Sequence, residues 1–316
     1  MARILVTGGS GFLGAEMVAA LAKRGDEVVA FDLRRSSRLD ALTAAHAQVS
    51  FVEGEIVEWP ALAAVVQEFR PDGIVHAAAI VGVPASLQAP IQTMRVNVEG
   101  SMNVMEAMRL FGVRRMVHVS SEETYGHFDA ETITEDHPQR PLMAYGISKL
   151  AVEHLCRSYN QRYGLECLNV RTCWVYGPGL PRPRVPKTLI DAAAEGRPLY
   201  LPAGADFAVD HTYVDDLVDG ILRVLDHTEH VHDTYHIASG EAPTLARIVE
   251  IIRELVPGAE LSVGPGTIEF APGLPAWRKG ALDVSRAAEA LGYRPRFDIR
   301  AGIAATLAAR RQEETP

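Results

Sequence analysis

The chain has 316 residues, 47% of them hydrophobic and 22% charged, the balance of a globular protein with one large core or two packed lobes. Its net charge of −9 gives a nucleic-acid partner no electrostatic support. The longest near-apolar run, Ala77 to Ala85, is interrupted by glycine and proline and is too short for a bilayer; the N-terminus opens in a strand without a signal peptide, so a cytoplasmic protein with no membrane partner is expected.

Arg3-Ile4-Leu5-Val6-Thr7 reads as a strand, Gly8-Gly9-Ser10-Gly11-Phe12-Leu13-Gly14 as a turn, and Ala15 to Lys23 as a helix. Strand, glycine turn and helix in that order suit a dinucleotide. Gly8 permits the tight turn, Gly11 lets the backbone approach a pyrophosphate, and Gly14 lets the helix pack close to the strand. The diphosphate then rests on free N–H groups at the helix start. Glu27 to Asp32 is a second strand, ending in an acid eighteen residues past Gly14. A carboxylate there accepts from the adenosine ribose hydroxyls and repels a 2′-phosphate, so NAD is expected over NADP. Arg34 and Arg35 lie just beyond and are the residues that could receive such a phosphate.

Ser50-Phe51-Val52, Gly73 to His76 and Arg115 to Ser120 read as further strands, with helices over Trp59 to Phe69 and from about Ile91 to Phe111. The alternation implies a parallel sheet covered on both faces, with ligands beyond the carboxyl ends of its strands. The loops after Phe51, His76 and Val119 are expected to form the cofactor crevice. Glu55 and Ile56 would flank the adenine, and Ala77, Ala78 and Ala79 would leave room for backbone contact. Tyr145 and Lys149 stand four apart, which on a helix places both on one face. The three cysteines, Cys156, Cys167 and Cys173, have no metal spacing and suit a reducing compartment; no metal is expected. From Lys187 the pattern loosens into helices at Lys187–Glu195, Val214–Asp226 and Leu245–Val256, with a glycine- and proline-rich stretch from Gly264 to Pro275. This reads as a smaller lobe closing over a substrate.

These residues resemble the extended short-chain dehydrogenase/reductase family, the NAD-dependent sugar epimerases and dehydratases. The likeness rests on Thr7 to Gly14, Asp32, His76-Ala77-Ala78-Ala79, Asn97-Val98-Glu99-Gly100, Val119-Ser120-Ser121, Tyr125-Gly126, Tyr145 with Lys149, Val175-Tyr176-Gly177-Pro178 and Tyr213-Val214-Asp215-Asp216. It implies an α/β fold: a Rossmann-type doubly wound parallel sheet with a smaller C-terminal α/β substrate lobe. Residues 1–177, joined by segments near 205–240, would bind NAD, and residues 178–316 would mainly bind substrate. A homodimer through a four-helix bundle is also implied, built from the helices near Ile91–Leu110 and Ser148–Tyr163. The resemblance extends the cofactor contacts to Phe12, Leu13, Asn97, Val119, Ser120, Thr172 and Cys173. It makes Tyr145 the acid/base, Lys149 the cation that lowers the phenol pKa and holds the nicotinamide ribose, and Ser121 the partner of the reacting hydroxyl.

Two stretches depart from a plain epimerase. Ser121-Glu122-Glu123 looks like the dehydratase branch, where Glu123, with Glu122 as partner, would remove a proton beside a newly formed ketone. Sugar-nucleotide enzymes of the family carry asparagine where Trp174 stands and arginines where Val209 and Ala271 stand. Losing all three argues against a nucleotide diphosphate. Arg182, Arg184 and Lys187 are candidates for an anionic substrate, and His211 and Trp277 for lining its pocket. The expected activity is hydride transfer to NAD from a secondary hydroxyl of a small sugar-like or sugar-acid substrate. The alternatives are a UDP- or dTDP-sugar 4-epimerase or 4,6-dehydratase, and a non-catalytic NAD-binding regulatory protein.

Overall fold

The computed structural model describes residues 1–313. Its central sheet contains β1 (Arg3–Thr7), β2 (Glu27–Asp32), β3 (Val49–Glu53), β4 (Gly73–His76), β5 (Arg115–Val119), β6 (Glu166–Arg171) and β7 (Thr234–His236). The order across the sheet is β3-β2-β1-β4-β5-β6-β7. From β3 to β6 every neighbouring pair is parallel. Strands covered on both faces need continuous apolar runs, and Ile4-Leu5-Val6 and Val28-Val29-Ala30-Phe31 supply them, all buried. The order reverses between β1 and β4, the point at which such sheets open a crevice beyond their carboxyl ends.

The chain divides into two compact units. The first takes Met1–Gly126, Pro138–Arg171 and Val218–Tyr235; the second takes His127–His137, Thr172–Leu217 and the chain from His236 onward. In the first unit the core runs through Leu5, Phe31, Leu62, Val104, Met108, Met116, Val152 and Cys156. Helices Trp59–Phe69, Gly100–Phe111 and Ala144–Tyr163 contribute to it. The long helical stretch expected up to Phe111 is not uniform. Pro90–Met94 is a short α-segment, Arg95–Glu99 is a wider π-turn, and Gly100–Phe111 returns to α geometry. The second unit has helices Lys187–Ala194 and Leu245–Leu255 and small two-stranded pairings, including Leu199–Leu201 with Leu261–Val263.

Several elements carry weak sequence signals. Helix Ser37–Ala45 buries only Leu39 and so lacks an apolar stripe, although Ser36 caps its start. In β6 the run Glu-Cys-Leu-Asn-Val-Arg mixes polar with apolar residues, yet all from Cys167 to Arg171 are buried. Asn169 and Arg171 are tolerated there because other buried side chains satisfy them.

Candidate active site

The glycine turn after β1 is shaped by contact. Gly8 has φ +73°, and a Cβ on it would fall 2.7 Å from Ala78 N. The small residues after β4 therefore lie against the turn, and Ala77 N donates to Thr7 O at 3.0 Å. A Cβ on Gly14 would sit 1.9 Å from Gly8 O, so the helix Phe12–Arg24 packs directly on the turn. Gly11 differs: a Cβ there would meet only Gly8 O, at 3.2 Å. No side chain caps that helix start and its first turn holds no acid. A cradle closed at Gly8 and Gly14, open at Gly11, and next to uncapped N–H groups near Phe12 and Leu13 fits a pyrophosphate.

Asp32, at the end of β2, accepts from Ser10 N at 3.0 Å and from Leu33 N at 2.7 Å. A carboxylate has about four lone-pair sites, so it keeps capacity for a ribose. Arg35 forms an ion pair with Asp40 at 2.6 Å and donates to Thr43, which turns it toward the helix Ser37–Ala45 that follows it. Glu55 is half-buried. The Ile56 side chain is buried in the core and fills the space above Gly100, which leaves only its backbone to face a cofactor.

The helix Ala144–Tyr163 carries Tyr145 and Lys149, one turn apart and both buried. Lys149 Nζ donates to Val119 O at 2.7 Å, so the carbonyl at the end of β5 fixes the ammonium. Burial pulls the Lys149 pKa down to about 8, against the charges of Glu153 and Cys156, which raise it. Ser121 Oγ donates to Glu122 Oε2 at 2.7 Å and accepts from Glu123 N at 3.2 Å. Both acids are buried, so neither is a solvated loop residue. The acid that touches the Ser121 hydroxyl is Glu122, whereas the sequence reading gave the leading part to Glu123.

Two of the expected cofactor residues have their side chains engaged within the protein. Asn97, on the π-turn, accepts from Ile80 N and donates to Ile80 O and to Ser148 Oγ at 2.9 Å. Ser148 Oγ passes the chain on to Tyr145 O at 2.7 Å. The π-turn thus aims an amide that ties the loop after β4 to the helix of Tyr145. Ser120 Oγ donates to Glu153 Oε1 at 2.6 Å.

Glu153 is a residue the sequence reading did not pick out, one turn beyond Lys149 on the same helix face. Its carboxylate takes four hydrogen bonds, from Ser120, from Arg171 Nε and Nη2 at 2.9 and 2.6 Å, and from Gln139 at 3.0 Å. Burial alone would raise its pKa; the hydrogen bonds and charge of Arg171, with Ser120 and Gln139, hold it below the usual range. Arg171 also donates to Tyr125 OH at 2.5 Å. One buried ion pair therefore joins the ends of β5 and β6, the Tyr125 loop and the helix of Tyr145. The available signal was an acid four residues past Lys149 with a lone arginine ending a buried strand.

The remaining candidates lie in the second unit. Thr172 Oγ1 donates to Thr212 Oγ1 at 3.5 Å, and Cys173 is buried and outside any disulfide. Trp174 packs against Phe207 and His211, with the Arg184 guanidinium 3.9 Å above its ring. His211 is buried, and its pKa is lowered to about 3 by burial and then by Arg184, against the hydrogen bond to Val209 O. Arg182 is exposed, and Lys187 pairs with Asp191 in its own helix. Trp277 packs against Phe270. Asp210 accepts from Ser239, Gly240 and Leu282 and anchors these loops. Among the described residues no group of His, Cys, Asp and Glu could hold a metal ion, and no helix is long and apolar enough to cross a membrane.

A dinucleotide cradle at the switch point of a parallel sheet, beside a Tyr/Lys helix, defines an oxidoreductase-type nucleotide-binding enzyme. Residues 4–238 match the NAD dependent epimerase/dehydratase family, and the chain belongs to it. It is an NAD-dependent enzyme of that family. A UDP-glucose 4-epimerase of Mycolicibacterium smegmatis is 33% identical over 96% of this chain and 97% of its own length. A dTDP-glucose 4,6-dehydratase of Xanthomonas campestris pv. campestris is 30% identical over 97% and 92%. The solved UDP-glucose 4-epimerase of Thermus thermophilus in complex with NAD has a TM-score of 0.83 and 28% identity, covering 98% of this chain and 99% of that one.

Proposed function

We propose that this enzyme oxidises a secondary hydroxyl of a sugar-like substrate, with Tyr145 as its acid/base. The observation that carries the reading is the buried Lys149 ammonium, held by Val119 O one helical turn from Tyr145. A phenol normally ionises near pH 10, and a buried cation beside it lowers that value. Tyr145 takes the hydroxyl proton, Lys149 stabilises the resulting phenolate, and Ser121 orients the hydroxyl. NAD, when bound, would supply the hydride acceptor for the carbinol carbon. The Gly8–Gly14 cradle and Asp32 would hold its diphosphate and adenosine ribose, with Ala77 to Ala79, Glu55, Val119, Thr172 and Cys173 as further contacts. The first unit would serve as the NAD domain and the second as the substrate domain.

Tyr145→Phe is the direct test. Turnover should fall by about 10²–10⁴-fold, the usual worth of a positioned acid/base, while co-purifying NAD, measured after acid release, stays unchanged. Retained turnover would overturn the assignment.

The buried pair Glu122 and Glu123 favours a dehydratase outcome as the second reading. A ketone acidifies the neighbouring C–H, and a carboxylate shielded from water is a competent base for it. The named activities of the two relatives support a sugar nucleotide as the substrate form, and the residues at Trp174, Val209 and Ala271 speak against a diphosphate there. Thermal stabilisation by UDP-glucose or dTDP-glucose, but not by glucose, decides between these forms. We place the protein in the cytoplasm, where its three cysteines, none of them in a disulfide, would stay reduced. The exposed Ile91, Met102 and Leu110, with Ile147 and Tyr163, support a homodimer through the two long helical segments. A monomer mass by light scattering would exclude it.

A further inference from the structure

Three buried ring nitrogens in the second unit have no hydrogen-bond partner, Nε1 of Trp174, Nε1 of Trp277 and Nε2 of His211, and of these Trp174 and His211 belong to rings in contact. Trp174 is 7% exposed and His211 1%. Their rings meet edge-on with centroids 5.7 Å apart. Leaving a buried donor or acceptor unmade is costly, so both atoms call for a partner.

Their chemistry can be read from their neighbours. His211 Nδ1 lies 2.9 Å from Val209 O. A carbonyl only accepts, so Nδ1 carries the ring proton and donates it. Burial and the adjacent Arg184 keep the imidazole neutral, which leaves Nε2 a bare acceptor. Indole Nε1 is a donor only. The two sites are therefore of opposite kind. An anionic oxygen would satisfy the indole N–H but would face the lone pair of Nε2. A hydroxyl set between them would satisfy both, accepting from the indole and donating to the imidazole.

We propose that Trp174 and His211 recognise an uncharged donor-and-acceptor group of the substrate, a sugar hydroxyl, and so select a neutral sugar over the corresponding uronic acid. This rests on the reading of the enzyme as acting on a sugar. It reverses the anionic substrate suggested by the basic run Arg182 to Lys187. Lys187 pairs within its own helix, and Arg184 is stacked on the indole. The imide edge of a pyrimidine base offers the same donor and acceptor, and the probes below separate the two sources.

The test is calorimetric binding to the NAD-loaded full chain, with UDP-glucose, UDP-glucuronic acid, UDP, glucose and glucuronate as probes. For whichever pair of sugar and uronic acid binds, the neutral member should bind about 10-fold or more tightly. Trp174→Phe and His211→Phe should each weaken the neutral sugar by about 10-fold, and less than additively when combined. UDP affinity and NAD content should not change. Tighter binding of the acid, unchanged affinity in both variants, or no binding of any neutral sugar would overturn the proposal. Equal weakening of UDP alone would move the contact to the base and overturn the sugar assignment. Tyr145→Phe should leave these affinities intact, so this proposal and the hydride-transfer reading fail separately.

Discussion

The Glu153 carboxylate on the Tyr145 helix and the ring pair Trp174–His211 follow opposite rules. Glu153 accepts four hydrogen bonds, and its charge is matched by Arg171. Trp174 and His211 each keep a ring nitrogen with no partner. Polar groups in a low-dielectric interior are tolerable when paired and costly when not. A saturated network can only hold its members in place. An unsaturated one retains hydrogen-bonding capacity for something else. The Glu153 network is therefore complete in the protein alone, while the Trp174–His211 pair retains unused hydrogen-bonding capacity.

The comparison breaks most visibly at Glu153. Glu153→Gln leaves Arg171 charged, buried and half-satisfied, and should destabilise the fold by about 3–5 kcal/mol in a urea titration. Glu153→Leu combined with Arg171→Met should recover most of that loss, since a buried ion pair exchanged for apolar groups is often near neutral. Activity separates positioning from mere support. With the Lys149 pKa at about 8, activity should decline on the alkaline side as the ammonium is lost there. Glu153 is the first of the groups that raise that pKa, so the decline should begin at lower pH in both variants. The linkage sign for stability is opposite. Lys149 binds its proton more weakly folded than unfolded, so its deprotonation adds stability as pH climbs from about 8 toward 10.5. A pH profile identical to the parent's would make Glu153 a structural residue only.

Ser120→Ala is a milder probe of the same network. It removes one hydrogen bond to a charged group and leaves Arg171 in place, for a loss of about 1.5–3 kcal/mol. The serines also mark where the sequence could be read and where it could not. Val119-Ser120-Ser121 was recognisable as a unit, but which hydroxyl serves the site depends on alternation along the chain end. Ser120 turns inward to Glu153, and Ser121 turns to Glu122. The glycine cradle was legible because Gly8 and Gly14 answer local steric demands and their spacing is visible in the chain. Strands β1, β2 and β4 were legible because their apolar runs are nearly continuous. Strand β6 was not, since Asn169 and Arg171 read as surface residues until their partners on other elements are known. Glu153 was hidden for the same reason: its meaning lies in Arg171, eighteen positions away. The π-turn at Asn97 follows from no local propensity.

The smallest change is expected where a polar group has no partner to lose. Trp174→Phe deletes an indole N–H buried without an acceptor, which relieves a desolvation penalty of about 1–3 kcal/mol. It also removes ring volume packed between Phe207 and Arg184, a cavity cost of comparable size. The two nearly cancel, so without ligand the stability should stay within about 1 kcal/mol of the parent. The same urea titration that registers Glu153→Gln as severe should scarcely register this variant. A loss above about 3 kcal/mol would mean that the folded protein already satisfies the indole, and the contrast between the two regions would disappear.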